Sequence, residues 1–264
     1  MSEEMSGKRP GDKPKKPVDA AKVAAKRERR EQAKAIREAE QRRQRRNKIL
    51  LQVGVLALVA VIAVAVTIFI KKANEPDYVA APDGFSDDGG ITVGNPDAPV
   101  TLTLVEDFAC PHCAALHTAA KDLIDGYAEG QDVKVEFRPV GFLDSMSSDD
   151  YSSRALNAAV CVVKDDPKNW LAMHDTLFEN QPAEGGAGLS DSELTELAVA
   201  SGADESTVST CIDDNEFEDW VDYTSHEITN EKGFGGTPRV KVNGKDVEGT
   251  PDAIEAAVKD AQES

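Results

Sequence analysis

The stretch "DFACPHCAAL", Asp107 to Leu116, holds two cysteines two residues apart. Thiols at this spacing support three kinds of chemistry: half of a metal site, a structural crosslink, or a disulfide that exchanges with other thiols. A zinc site needs two further ligands, and the sequence has no second Cys-x-x-Cys, although His117 offers one donor. A crosslink across so short a loop removes little chain entropy and stabilises poorly. An exchanging pair needs one sulfur held as thiolate. Cys110 stands where a hydrophobic run gives way to a helix-forming one. Free N–H groups and the macrodipole at a helix start lower a thiol below its ordinary pKa of about 8.5. Pro111 suits the first helical turn, where a missing N–H costs nothing, and His112 sets an ionisable ring beside the sulfur. Cys110 and Cys113 therefore read as a reactive disulfide, with no metal.

Such a pair needs a rigid support. "APVTLTLVEDF" alternates Val100, Leu102 and Leu104 with Thr101, Thr103 and Val105, which predicts a strand ending just before the cysteines. "CPHCAALHTAAKDLIDGYAEG" predicts a helix, and "VKVEFRPV" a second strand, giving a βαβ unit with a parallel pair. About 85 residues of helical pattern follow: "YSSRALNAAVCVVK", a segment opened by Pro167, one opened by the capping box "SDSE" at Ser190, and "EFEDWVDYTSHEI". "RVKVNGKDVEG" predicts a hairpin turning at Asn243-Gly244, and Thr250-Pro251 opens a last helix. Cys161 and Cys211 fall in the helical block and read as a second, structural disulfide rather than two ordinary buried thiols. In the chain-entropy model, closing some fifty residues contributes about 4 kcal/mol. His117, His174 and His226 have no partner motif, and His174, on an apolar helix face, reads as a satisfied core residue.

The compartment decides whether disulfides persist. Net charge is −18, yet residues 1–48 carry +9 and residues 73–264 carry −29. So acidic a domain excludes nucleic acid as its main partner. Between them Ile49 to Ile70, "ILLQVGVLALVAVIAVAVTIFI", is uncharged and apolar all round. At about 1.5 Å per residue it crosses a hydrocarbon core of about 30 Å. "RRQRRNK", Arg42 to Lys48, faces only Lys71 and Lys72 on the far side, which keeps the N-terminus cytoplasmic. A signal peptide cleaved near "VAAP", Val79 to Pro82, is the rival reading. The expected organisation is a basic cytoplasmic tail (1–48), a transmembrane helix (49–70), a flexible linker (71–90) and a redox domain (91–264). All four cysteines then lie in an oxidising space.

"CPHC" after a buried strand, a helical block and then "GGTPRVKVNGK" resembles the DsbA family of thioredoxin-fold disulfide oxidoreductases, and more closely its membrane-anchored actinobacterial type. The resemblance spans about Ile91 to Ala261. It implies an α/β thioredoxin fold with a helical insertion at about 148–233, here preceded by a single transmembrane helix. It makes Cys110 the exposed nucleophile and Cys113 the buried resolving cysteine. Thr237-Pro238 becomes the cis-proline loop that faces and tunes the pair, together with Pro111 and His112. The family's buried acid six residues before the nucleophile is replaced by Leu104; either Glu106 or Asp107 takes its place or both are solvated, and neither is assigned a role. The implied activity is insertion of disulfides into newly exported cysteine-containing proteins, with no bound cofactor. Reoxidation falls to a quinone-linked membrane oxidase of DsbB-like or VKOR-like type. An isomerase or reductase of the same fold is the near alternative. A non-enzymatic metal-binding or substrate-holding module is the distant one.

Overall fold

The computed structural model describes residues 20–73 and 76–264. Two compact units, Met1–Asn74 and Glu75–Ser264, are each self-contained. The described part of the first unit is one helix, α1 (Ala20–Ala73). Its apolar portion reaches a mean hydropathy of 3.1 with none of it buried, as a candidate membrane span requires. Helix also runs through the charged residues that precede the span.

The second unit is built on a five-stranded sheet ordered β1-β3-β2-β4-β5. The strands are β1 (Ile91–Gly94), β2 (Val100–Glu106), β3 (Val133–Pro139), β4 (Arg239–Val242) and β5 (Lys245–Val247). β2 runs parallel to β3, with Leu102 opposite Val135 and Leu104 opposite Phe137. It runs antiparallel to β4, with Leu104 opposite Val240. As the central strand β2 is buried on both faces, which explains its near-continuous apolar run. The β4–β5 hairpin turns at Asn243 (φ 47°) and Gly244 (φ 77°), the two left-handed residues that a type I′ turn demands.

Helices α2 (Pro111–Glu129) and α8 (Pro251–Gln262) pack on this sheet and on each other. Between β3 and β4 lies the helical insertion: α3 (Tyr151–Asp165), α4 (Trp170–Glu179), α5 (Asp191–Ala200), α6 (Glu205–Asp213) and α7 (Glu218–Thr229). Its axis is α3, whose residues Ala155 to Val163 are all buried and which touches the other four helices. Ser190 and Glu193 close the expected capping box at the start of α5.

Three features depart from the sequence expectation. β1 is an additional edge strand, antiparallel to β3, and α6 is a separate helix. The segment 76–90, expected as a flexible linker, lies against the insertion. Phe85 is buried with its ring 4.8 Å from Trp220 and 5.9 Å from Trp170, and Tyr78 meets Tyr223 edge-on. Gly89 (φ 81°) lies so close to Thr224 that a side chain there would overlap its hydroxyl. One aromatic anchor and one glycine hold down a stretch whose composition alone suggests a tether.

Candidate functional site

Cys110 is the N-cap residue of α2, with Pro111 at the first helical position. Local sequence produces this geometry: β2 ends at Glu106, and Pro111 cannot extend a ladder but starts a helix readily. Cys113, one turn in, is fully buried, and Pro111 and His112 are exposed. Cys110 is itself only 4% exposed, which corrects the expectation of an exposed nucleophile, because the Thr237 carbonyl lies over its sulfur. The Thr237–Pro238 peptide is cis, and it brings the Thr237 carbonyl 3.4 Å from Cys110 Sγ. Two strands and one helix thus converge on a single sulfur.

The two thiols differ sharply. A hydrogen bond from the Cys113 thiol is the main influence lowering Cys110 to a pKa of about 5. The Thr237 side chain and the backbone N–H groups of Cys113 and His112 reinforce it, while burial opposes them. His112 acts here through its amide, whereas the sequence points to its imidazole. Cys113 moves the other way. Burial pushes its thiol far above the ordinary range, with the Cys110 interaction and the charge of Glu106 adding to the effect.

Glu106 and Asp107 are both buried, which removes the solvated alternative that the sequence leaves open. Asp107 accepts hydrogen bonds from the amides of Ala109 (2.7 Å), Phe142 (2.8 Å) and Leu143 (2.8 Å), tying the redox turn to the loop after β3. Burial raises its carboxyl to a pKa of about 6, and these amide bonds limit the rise. Glu106 meets His174 Nε2 at 3.0 Å. Burial works against a charged His174 ring, yet Asp175 and Glu106 together outweigh it and raise the pKa to about 8. His117 reaches Asp175 at 2.8 Å, and the Lys121 ammonium bonds the same carboxylate. Donor atoms of His117, His174 and Asp175 lie within 4.8 Å of one another, as a metal site requires. A cation, Lys121, already neutralises the one carboxylate among them.

Two further contacts escaped sequence reasoning. Gln181, just past α4, donates through Nε2 to the carbonyls of Phe108 (2.8 Å) and Cys110 (3.0 Å). Phe142, 42% exposed, packs edge-on against Phe234, three residues before Thr237. No local motif marks either, because each partner is remote in sequence. Away from the pair, Cys161 of α3 and Cys211 of α6 are joined in a disulfide with both residues buried and Cα atoms 5.9 Å apart.

The arrangement is one in which a thiolate can form, attack a disulfide and be regenerated. Known proteins are similar to the chain in sequence and in fold. Over 128 residues the chain is 34% identical to the serine/threonine-protein kinase PknE of Mycobacterium tuberculosis, a match covering 47% of this chain but 22% of that kinase. Over 163 residues it is 29% identical to Disulfide bond formation protein D of Bacillus subtilis, covering 60% of this chain and 69% of that one. The crystal structure of reduced DsbA from M. tuberculosis superposes with a TM-score of 0.58 at 27% identity, over 66% of this chain and 92% of the other. The profile of the family described as Thioredoxin matches residues 86–260, the sheet, the cysteine pair and the insertion together. On that span the chain belongs to the thioredoxin family, with the fold of its DsbA-like members.

Proposed function

We propose that the protein is a membrane-anchored, extracytoplasmic thiol–disulfide oxidoreductase that inserts disulfides into exported proteins. The observation that carries this reading is the inequality of the two thiols, one lowered to about 5 and the other buried and raised far above it. A low-pKa sulfur is a good leaving group, and a stable thiolate makes the corresponding disulfide strongly oxidising.

In the forward reaction a substrate thiolate attacks Cys110 Sγ in the Cys110–Cys113 disulfide. The bond between the two sulfurs breaks, its electron pair goes to Cys113, and that sulfur takes up a proton. A second substrate thiolate then attacks the substrate sulfur of the mixed disulfide and expels Cys110 as thiolate. The substrate loses two electrons and the enzyme gains them, with no bound cofactor needed. A quinone-linked membrane oxidase of DsbB-like or VKOR-like type would return the pair to the disulfide. The acidic domain beyond an apolar helix with basic residues before it supports an external site. The apolar Phe142–Phe234 ledge beside Thr237 offers unfolded substrate a surface.

The test is trapping. The detergent-solubilised Cys113→Ala protein, its Cys110 thiol first converted to a mixed disulfide with thionitrobenzoate, is incubated with a reduced unfolded substrate that carries one cysteine. The substrate thiolate is expected to displace thionitrobenzoate and leave an enzyme–substrate mixed disulfide at Cys110, whereas Cys110→Ala accumulates few. Equal trapping by both variants would remove the assignment of Cys110 as nucleophile. Wild-type protein unable to oxidise that substrate would remove the oxidase reading.

A further inference from the structure

The redox turn, Phe108–Ala109–Cys110, lies between the end of β2 and the start of α2, outside any strand ladder. Its donors are met from one side: Ala109 N bonds Asp107 Oδ1 at 2.7 Å, and Cys110 N bonds the Asp107 carbonyl at 3.0 Å. Its acceptors are met from the other, where Gln181 Nε2 bridges the carbonyls of Phe108 and Cys110. A carboxamide nitrogen carries two hydrogens, so both are engaged here. The Cys110 carbonyl also accepts the amides of Cys113 (3.0 Å) and Ala114 (3.1 Å), and Gln181 adds a third donor at that residue.

Gln181 is itself well held. Its amide bonds the Phe178 carbonyl at 3.3 Å, and Pro182 restricts its backbone to extended conformations. The Phe178 ring lies 5.2 Å from Phe108, so the end of α4 grips Phe108 by ring and by carbonyl. α4 belongs to the insertion, and its far end carries Trp170 against Phe137 of the sheet. The insertion therefore reaches the nucleophile's own backbone through one side chain.

We propose that Gln181 is a positioning residue for the redox pair: its carboxamide, held across two carbonyls of the turn, fixes Cys110 Sγ against Thr237 and sets how readily the disulfide accepts electrons. This rests on the thiol–disulfide reading above and names a residue that tunes it. The positive end of the carboxamide dipole points at the residue that bears negative charge only when the pair is reduced. Its effect is thus selective for the reduced form. A residue that merely packs the turn would support both forms alike.

Two variants of the full chain in detergent separate these cases. Gln181→Leu removes the donors without adding charge, and Gln181→Glu replaces the amide nitrogen with an oxygen that repels both carbonyls. Each is equilibrated in glutathione redox buffers, and oxidised and reduced forms are melted separately. Gln181→Leu is expected to shift the equilibrium by about tenfold toward the disulfide, with Gln181→Glu shifting it at least as far. The reduced form of each should lose more melting temperature than the oxidised form. An unchanged equilibrium, or equal losses in the two forms, would make Gln181 a packing residue and overturn the proposal. Because glutathione exchange needs only the cysteine pair, failure of the wild type to oxidise protein substrates leaves this comparison intact and counts against the oxidase reading alone.

Discussion

His174 and Glu106, 68 residues apart in sequence, meet at 3.0 Å with both side chains buried. One comes from the insertion and the other from the end of the central strand, so the pair joins the two parts of the domain. Asp175 and His117 face the same ring, and the Lys121 ammonium lies on Asp175.

This pair should give stability a pH dependence of known sign. The folded His174 has a pKa of about 8 against about 6.5 unfolded. Its contribution of about 2 kcal/mol is therefore complete below about pH 6.5 and disappears as pH rises through about 8. Urea unfolding across that range is expected to show the loss, and His174→Gln to flatten it. His174→Ala leaves Glu106 as an unpaired buried charge and is expected to cost about 3–5 kcal/mol. A variant with the wild-type pH profile would disconnect His174 from the effect.

The cysteine pair has the opposite sign. Cys110 is depressed from an unfolded value of about 8.5 to a folded pKa of about 5. The stabilisation of the reduced form is complete above the unfolded value, is about 3 kcal/mol at pH 7, and is lost as pH falls through about 5. Reduced protein should then melt above oxidised protein near neutrality, with the gap closing in acid. Cys110→Ser should abolish the acid-dependent part. An oxidised form that is the more stable at pH 7 would favour a reductase.

Cys161 and Cys211 enclose a loop with a sequence separation of 50. Chain entropy assigns the link about 4 kcal/mol, and the double Cys161→Ala, Cys211→Ala variant is expected to lose about that much in denaturant unfolding. It should retain exchange at Cys110, because the bond joins α3 to α6 within the insertion. Recovery of both residues as free thiols in unreduced peptide maps would refute the pairing.

The parts legible in sequence were those encoded locally. The Cys-Pro-His-Cys helix start, the Ser190–Glu193 box, the Asn243-Gly244 turn and the parallel strand pair each need only a few adjacent residues. β1 was missed because four residues with Ile91 alone fully buried give almost no alternation. Sequence leaves the burial of Glu106 and Asp107 open because burial of a carboxylate depends on distant partners, here His174 and the Phe142 and Leu143 amides. Phe85 was hidden for a related reason: among glycines and aspartates its docking site lies on helices more than eighty residues later. Gln181 looked like any loop residue, since its function lies in two backbone carbonyls that carry no sequence signal.

The chain has two tryptophans, Trp170 and Trp220, and both are buried against Phe85. Trp170 also stands 5.8 Å from His174. The protein consequently carries its own optical gauge: indole emission should report whether Phe85 is docked between the two tryptophans, and an imidazolium at His174 should quench Trp170. Fluorescence followed against pH would read the charge on His174 directly, with no label and no change to the cysteines.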